Sequence, residues 1–214
     1  MMLLHLIKKD FLLVKKYALM MIVLCTFIPL FTLWRIPTLA GPVGFCLSVI
    51  FAIFMLLQYL LLKETQFPKA ATLLCSTPYP RELLVLSKYS FCLIIYAACC
   101  VIFGLETLVF HQLGGIHLEL PSVVFFILSV FLGIYMPVLY KLGYEKTKFV
   151  FVVTIMGSCF ALPQLMEISS KVNLGSLAAI SPSIFYGGVI LISLIILAIS
   201  ASLSIKIYSK ADLA

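Results

Sequence analysis

The chain has 214 residues, of which 64% are hydrophobic and 11% charged, and a mean hydropathy of +1.21. Soluble domains carry about a quarter charged residues, so this chain lacks the polar surface to coat a water-soluble globule, and its solvent is lipid. The formal charge of +7 is the Lys/Arg bias of cytoplasmic flanks beside anionic lipid and implies no nucleic-acid partner.

A spanning helix needs roughly 20 apolar residues at about 1.5 Å of rise each. The pattern predicts an all-α polytopic membrane protein, one domain over 1–214 with six transmembrane helices. Residues 2–16 come first, as a candidate interfacial helix. At about 100° per residue, Leu3, Leu4, Ile7, Phe11 and Val14 share one face, with His5, Lys8, Lys9, Lys15 and Lys16 opposite. Leu12 and Asp10 sit on the wrong sides of that pattern. The alternative is a basic flank running straight into the first span.

The spans are expected at 17–34, 41–62, 89–110, 122–140, 149–166 and 184–207. The first is longer than a signal-peptide core and is followed by more spans, so it is read as retained. Pro29, Pro137 and Pro163 fall inside spans, where kinks are expected. Tyr17, Trp34, Tyr89, Tyr140 and Tyr208 lie near span ends and read as interface anchors. With the N-terminus inside, Arg35 and Lys171 are the only outer members of the 15 Lys and Arg residues. Both termini are therefore expected on the cytoplasmic side of a plasma membrane.

Between the second and third spans lies the longest polar insertion, 63–88. Pro68 suits a first helical position, and Phe67, Ala70, Ala71 and Leu74 would line one side of a short helix. Thr77-Pro-Tyr-Pro ends it. The segment reads either as an organised lever or as a surface helix resting on headgroups.

Catalytic signatures are missing. There is no P-loop, H-E-x-x-H or G-x-S-x-G pattern. His5, His111 and His117 are dispersed, and a site from the two outer histidines with Glu119 is disfavoured. The seven cysteines form no C-x-x-C pair; six lie in apolar runs, where cysteine packs as a small hydrophobe, and Cys75 faces a reducing compartment. No metal site and no structural disulfide are expected. Gly41, Gly44, Gly104, Gly133, Gly157, Gly187 and Gly188 receive no individual role. Glu106 is the one carboxylate inside an expected span. It reads either as an outer-interface group reaching water or as a group lining a pathway or pairing with another helix.

Lys8-Lys9-Asp10 precedes the first span, Lys63-Glu-Thr ends the second, and Leu73-Leu-Cys-Ser-Thr-Pro-Tyr-Pro-Arg-Glu-Leu-Leu-Val-Leu-Ser-Lys-Tyr89 follows. This resembles the small type-2 ABC transporter permeases of Gram-positive bacteria, with their loop near Leu-Pro-[IVY]-[ST]-Arg-x-x-[IL]-Val-x-[AS]-Lys-Tyr. Arg81, Val85, Ser87, Lys88 and Tyr89 match; Thr77-Pro78 replaces Leu-Pro and Pro80 replaces the hydroxyl residue. The resemblance implies six spans, an N-terminal in-plane helix and a cytoplasmic coupling helix over about 64–76. It implies a second permease subunit, in a homo- or heterodimer, and a separate cytoplasmic ABC ATPase that binds ATP and Mg. Phe67 and Leu74 would be the apolar ATPase contacts, with Glu64, Lys69 and Arg81 the polar ones. The inner loop 141–148 would be a smaller contact.

The implied function is export of antimicrobial peptides or other amphipathic compounds, often for resistance, by a permease that is not itself an enzyme and holds no cofactor. The rival readings are a membrane scaffold, a lipid-modifying enzyme and a secondary transporter. The last two are disfavoured by the scarcity of intramembrane polar groups.

Overall fold

In the computed structural model the described residues are 2–35, 40–66, 81–110, 119–147, 149, 153, 157 and 182–210. They form five long helices: α1 (Met2–Arg35), α2 (Ala40–Gln66), α3 (Arg81–Val109), α4 (Glu119–Leu142) and α5 (Pro182–Lys210). Each is long and apolar enough to cross a membrane. The expected span 149–166 lies outside the described residues apart from isolated positions, as does Pro163.

The expected interfacial helix is not a separate element. Residues 2–16 run without a break into 17–34. No glycine or proline occurs before Pro29 to interrupt the hydrogen-bond ladder. At 1.5 Å per residue, α1 is about 50 Å long and outruns a hydrocarbon core of about 30 Å. Its buried stripe is also rotated from the one expected: Leu6, Ile7, Asp10, Val14, Met21 and Cys25 face inward, whereas Leu4 is exposed. The first half of α1 therefore packs on protein.

α2 is the centre of the bundle. Two thirds of its span window (67%) is buried, against 17% for α1 and 22% for α5, whose outer faces are left for lipid. Phe45, Val49, Ile53, Phe54, Leu57 and Leu60 of α2 pack with Phe91 and Ile95 of α3 and Leu128, Leu132 and Met136 of α4 in one core. α5 lies mainly against α4, and α1 against α2 and α3. Polar stitches cross the seams. Gln58 Nε2 donates to Tyr135 Oη (2.7 Å) between α2 and α4, and Tyr96 Oη donates to Pro121 O (2.7 Å) between α3 and α4.

Two glycines turn out to set helix spacing. A Cβ on Gly44 would lie 2.5 Å from Thr32 Oγ1 and 2.9 Å from Pro29 Cα, so α1 and α2 touch there because Gly44 has none. One on Gly133 would lie 3.2 Å from Ile196 Cγ2, at the α4–α5 seam. Pro29 and Pro137 remain inside continuous helices. Thr32 Oγ1 donates to Pro29 O (2.8 Å) and to Ala40 O (3.3 Å), fastening the end of α1 to the start of α2. α4 ends at Gly143, whose φ of +77° is the left-handed cap that glycine adopts freely. Its N–H donates to Leu139 O (2.9 Å).

Candidate functional site

Segment 67–80 lies outside the described residues, but both of its roots are on view: the end of α2 and the start of α3. One turn and a half into α3, Ser87, Lys88 and Tyr89 are all buried. Successive helical residues point about 100° apart, so three in a row, all buried, address three different neighbours.

Ser87 Oγ lies 3.4 Å from Asp10 Oδ2 on α1, to which it donates, and also donates to Leu84 O (3.0 Å). Lys88 Nζ pairs with Glu64 Oε2 on α2 in a close, charge-assisted hydrogen bond. Tyr89 Oη bonds Ser200 Oγ (2.7 Å) and Ser204 Oγ (3.0 Å) on α5. Ser200 Oγ in turn donates to Gly133 O (3.0 Å) on α4. One tripeptide thus ties the root of the loop to every other described helix.

The ionic part of this knot is balanced. Asp10 is 1% exposed and Lys88 7%. Lys9 Nζ sits 3.1 Å from Asp10 Oδ1, an ion pair without hydrogen-bond alignment, and 3.9 Å from Glu64 Oε1. Two cations and two carboxylates therefore share the end of the α1–α2–α3 seam nearest segment 67–80. Pairing of this kind offsets the desolvation cost of burying the charges. Nearby, the Tyr17 and Tyr59 rings meet tilted at 3.7 Å, and the Phe11 and Phe91 rings meet at 4.9 Å.

The predicted contact residues fare differently. Phe67, Lys69 and Leu74 lie outside the described residues. Arg81 opens α3, with its side chain outside the description. Glu64, expected to face a partner, directs its carboxylate to Lys88 and Lys9 of its own chain and is only about one third exposed. Tyr89, read as an interface anchor, is instead an internal tether; Trp34, at 79% exposure, keeps the position of an anchor. Glu106 lies outside the knot. It is 8% exposed, and neither carboxylate oxygen has a hydrogen-bond partner among the described residues.

Sequence reasoning missed Asp10, Lys9, Ser87 and Lys88 as a group. The usable signal was Asp10 itself: an acid three residues from Ile7 and four from Val14 shares their stripe and needs a buried partner. Nothing local identified that partner.

Residues 5–209 match the model of a family described as ABC-2 family transporter protein. The chain belongs to that family. Neither a curated protein nor a solved structure matches it. Membership of the ABC-2 family, with five apolar helices, makes the chain a multi-pass membrane component of an ABC transporter. Such a permease works with an ABC ATPase. The four matched residues after Arg81 lie in α3, and Val85, Ser87, Lys88 and Tyr89 are all buried in the bundle.

Proposed function

We propose that the chain is the permease subunit of an ATP-driven exporter, moving a peptide or another amphipathic or lipophilic compound out of the cell. Two permease subunits pair, each with a separate cytoplasmic ATPase, and both termini are cytoplasmic. The observation that supports this reading best is the Ser87-Lys88-Tyr89 knot at the root of segment 67–80. A permease without a nucleotide site must receive work mechanically, and a lever is useful only if its base does not yield.

The Glu64–Lys88 pair closes that base across the two roots of the segment, so a push on 67–80 moves α2 and α3 as one body. α1 follows through Asp10 and α5 through Tyr89. Interfaces of this kind switch between discrete arrangements rather than deforming continuously, which is how small displacements become helix motions. Phe67 and Leu74 supply the apolar contact to the ATPase, with Lys69 and Arg81 at its polar edge. Glu64 takes the role of a clamp.

The test is co-purification from native membrane in mild detergent. A soluble ATP-hydrolysing subunit should elute with the wild-type chain and be lost from a Phe67→Asp, Leu74→Asp variant that still inserts. An ATPase absent from both would replace this reading with a non-transporting scaffold.

A further inference from the structure

Glu106 is unlike every other described acid in the bundle. It lies three residues, about 4.5 Å, from the end of α3, on a buried face. Its neighbours Leu105, Leu108 and Val109 are exposed to lipid, whereas Glu106 and Thr107 are buried. Both of its oxygens are shielded and accept no hydrogen bond, and no cation lies within ion-pair distance among the described residues. The one neighbouring hydroxyl, Thr107 Oγ1, donates to Gly104 O (2.9 Å). Among the described residues nothing donates to either oxygen.

The surroundings narrow the class of donor. One turn inward on the same face is Phe103, whose ring meets Phe45 of α2 at 4.6 Å. A further turn inward, Cys99 Sγ meets Cys25 Sγ of α1 at 3.5 Å. A hard metal ion wants six or more oxygens, and no metal-binding group of acids, histidines or cysteines occurs among the described residues. One carboxylate above an aromatic pair instead suits an organic cation. An ammonium has donors for both oxygens, and the seam beside them is apolar.

We propose that Glu106 is the recognition site for the cationic head of an amphipathic cargo, an alkylammonium or a lysine-like amine, held at the outer end of the α1–α2–α3 seam. This rests on the export reading for its biological meaning, and the binding itself does not depend on it.

The experiment is equilibrium binding to the permease complex in nanodiscs, without ATP, corrected with protein-free nanodiscs. The probes are radiolabelled dodecylammonium and uncharged dodecanol. Wild type should prefer dodecylammonium, Glu106→Gln should weaken it about tenfold, as for loss of one desolvated ion pair, and dodecanol binding should not change. Glu106→Asp, which keeps the charge, should retain most of the preference, which separates recognition from a folding defect. Equal binding of dodecylammonium to wild type and Glu106→Gln overturns the proposal, as does a wild type that binds both probes alike. Co-purification of the ATPase is scored in parallel. Glu106-dependent binding without an ATPase would retain the site and remove the export reading, and an ATPase without such binding would do the reverse.

Discussion

The two ends of α3 each bury a charge, and they treat it in opposite ways. At the inner end Lys88 is enclosed but paired with Glu64, beside Lys9 and Asp10. At the opposite end Glu106 is enclosed to a similar degree and has no partner among the described residues. The first arrangement holds helices together, and its loss leaves an uncompensated charge in a dry seam. The second contributes nothing to the bundle's cohesion and costs it desolvation. Tyr89, Gln58 and Tyr96 find partners across the seams, and Glu106 finds none among the described residues.

Breaking the paired end should have the largest effect. Lys88→Ala leaves Glu64 and Asp10 short of a cation in the seam. Removing one member of a fully buried pair costs about 3–5 kcal/mol. With about a third of Glu64 in solvent, about 2–3 kcal/mol is expected, seen as a lower Tm of the purified protein. The reversed pair Glu64→Lys with Lys88→Glu should recover part of that loss; no recovery would mean that the two residues act separately.

The next effect probes spacing at the outer end without touching charge. Gly44→Ala drives a methyl into Thr32 and the Pro29 backbone and should cost about 1–3 kcal/mol through overpacking. A thermal unfolding curve identical to wild type would show that the α1–α2 contact is looser than drawn. Tyr89→Phe is milder. It removes one hydroxyl from Ser200 and Ser204, for about 1 kcal/mol, and should raise amide exchange at the α3–α5 seam. Unchanged exchange in α5 would sever that branch of the knot.

The smallest effect is predicted for Glu106→Gln. Replacing an unpaired buried carboxylate with an amide should leave Tm at or above wild type. A fall as large as that of Lys88→Ala would reveal a structural partner for Glu106 and erase the contrast between the two ends.

Much of the architecture was legible in the sequence, because span length and apolar composition are local properties that any stretch of about 20 residues declares by itself. Three of the five described helices, α2, α4 and α5, enclose an expected span with only the margins extended; α3 starts well before its expected span and stops one residue short of its end, and α1 merges the expected interfacial segment with the first span. That merger was decided by what is missing, a breaker between residues 2 and 28. The stripe of α1 was misjudged by a modest rotation, since Leu3 and Leu4 look as good as Leu6 until a neighbouring helix chooses a side.

The partners were another matter. Asp10 and Ser87 are 77 residues apart, as are Gln58 and Tyr135, and Tyr89 and Ser204 are 115 apart. Sequence alone determined that this chain is helical and crosses the membrane several times, because hydrophobic period and apolar length are written residue by residue. Only the tertiary structure decided that Lys88 is fastened and Glu106 is not. A buried charge acquires a meaning from the azimuth at which helices meet, and that angle is set by packing across seams that no local pattern records.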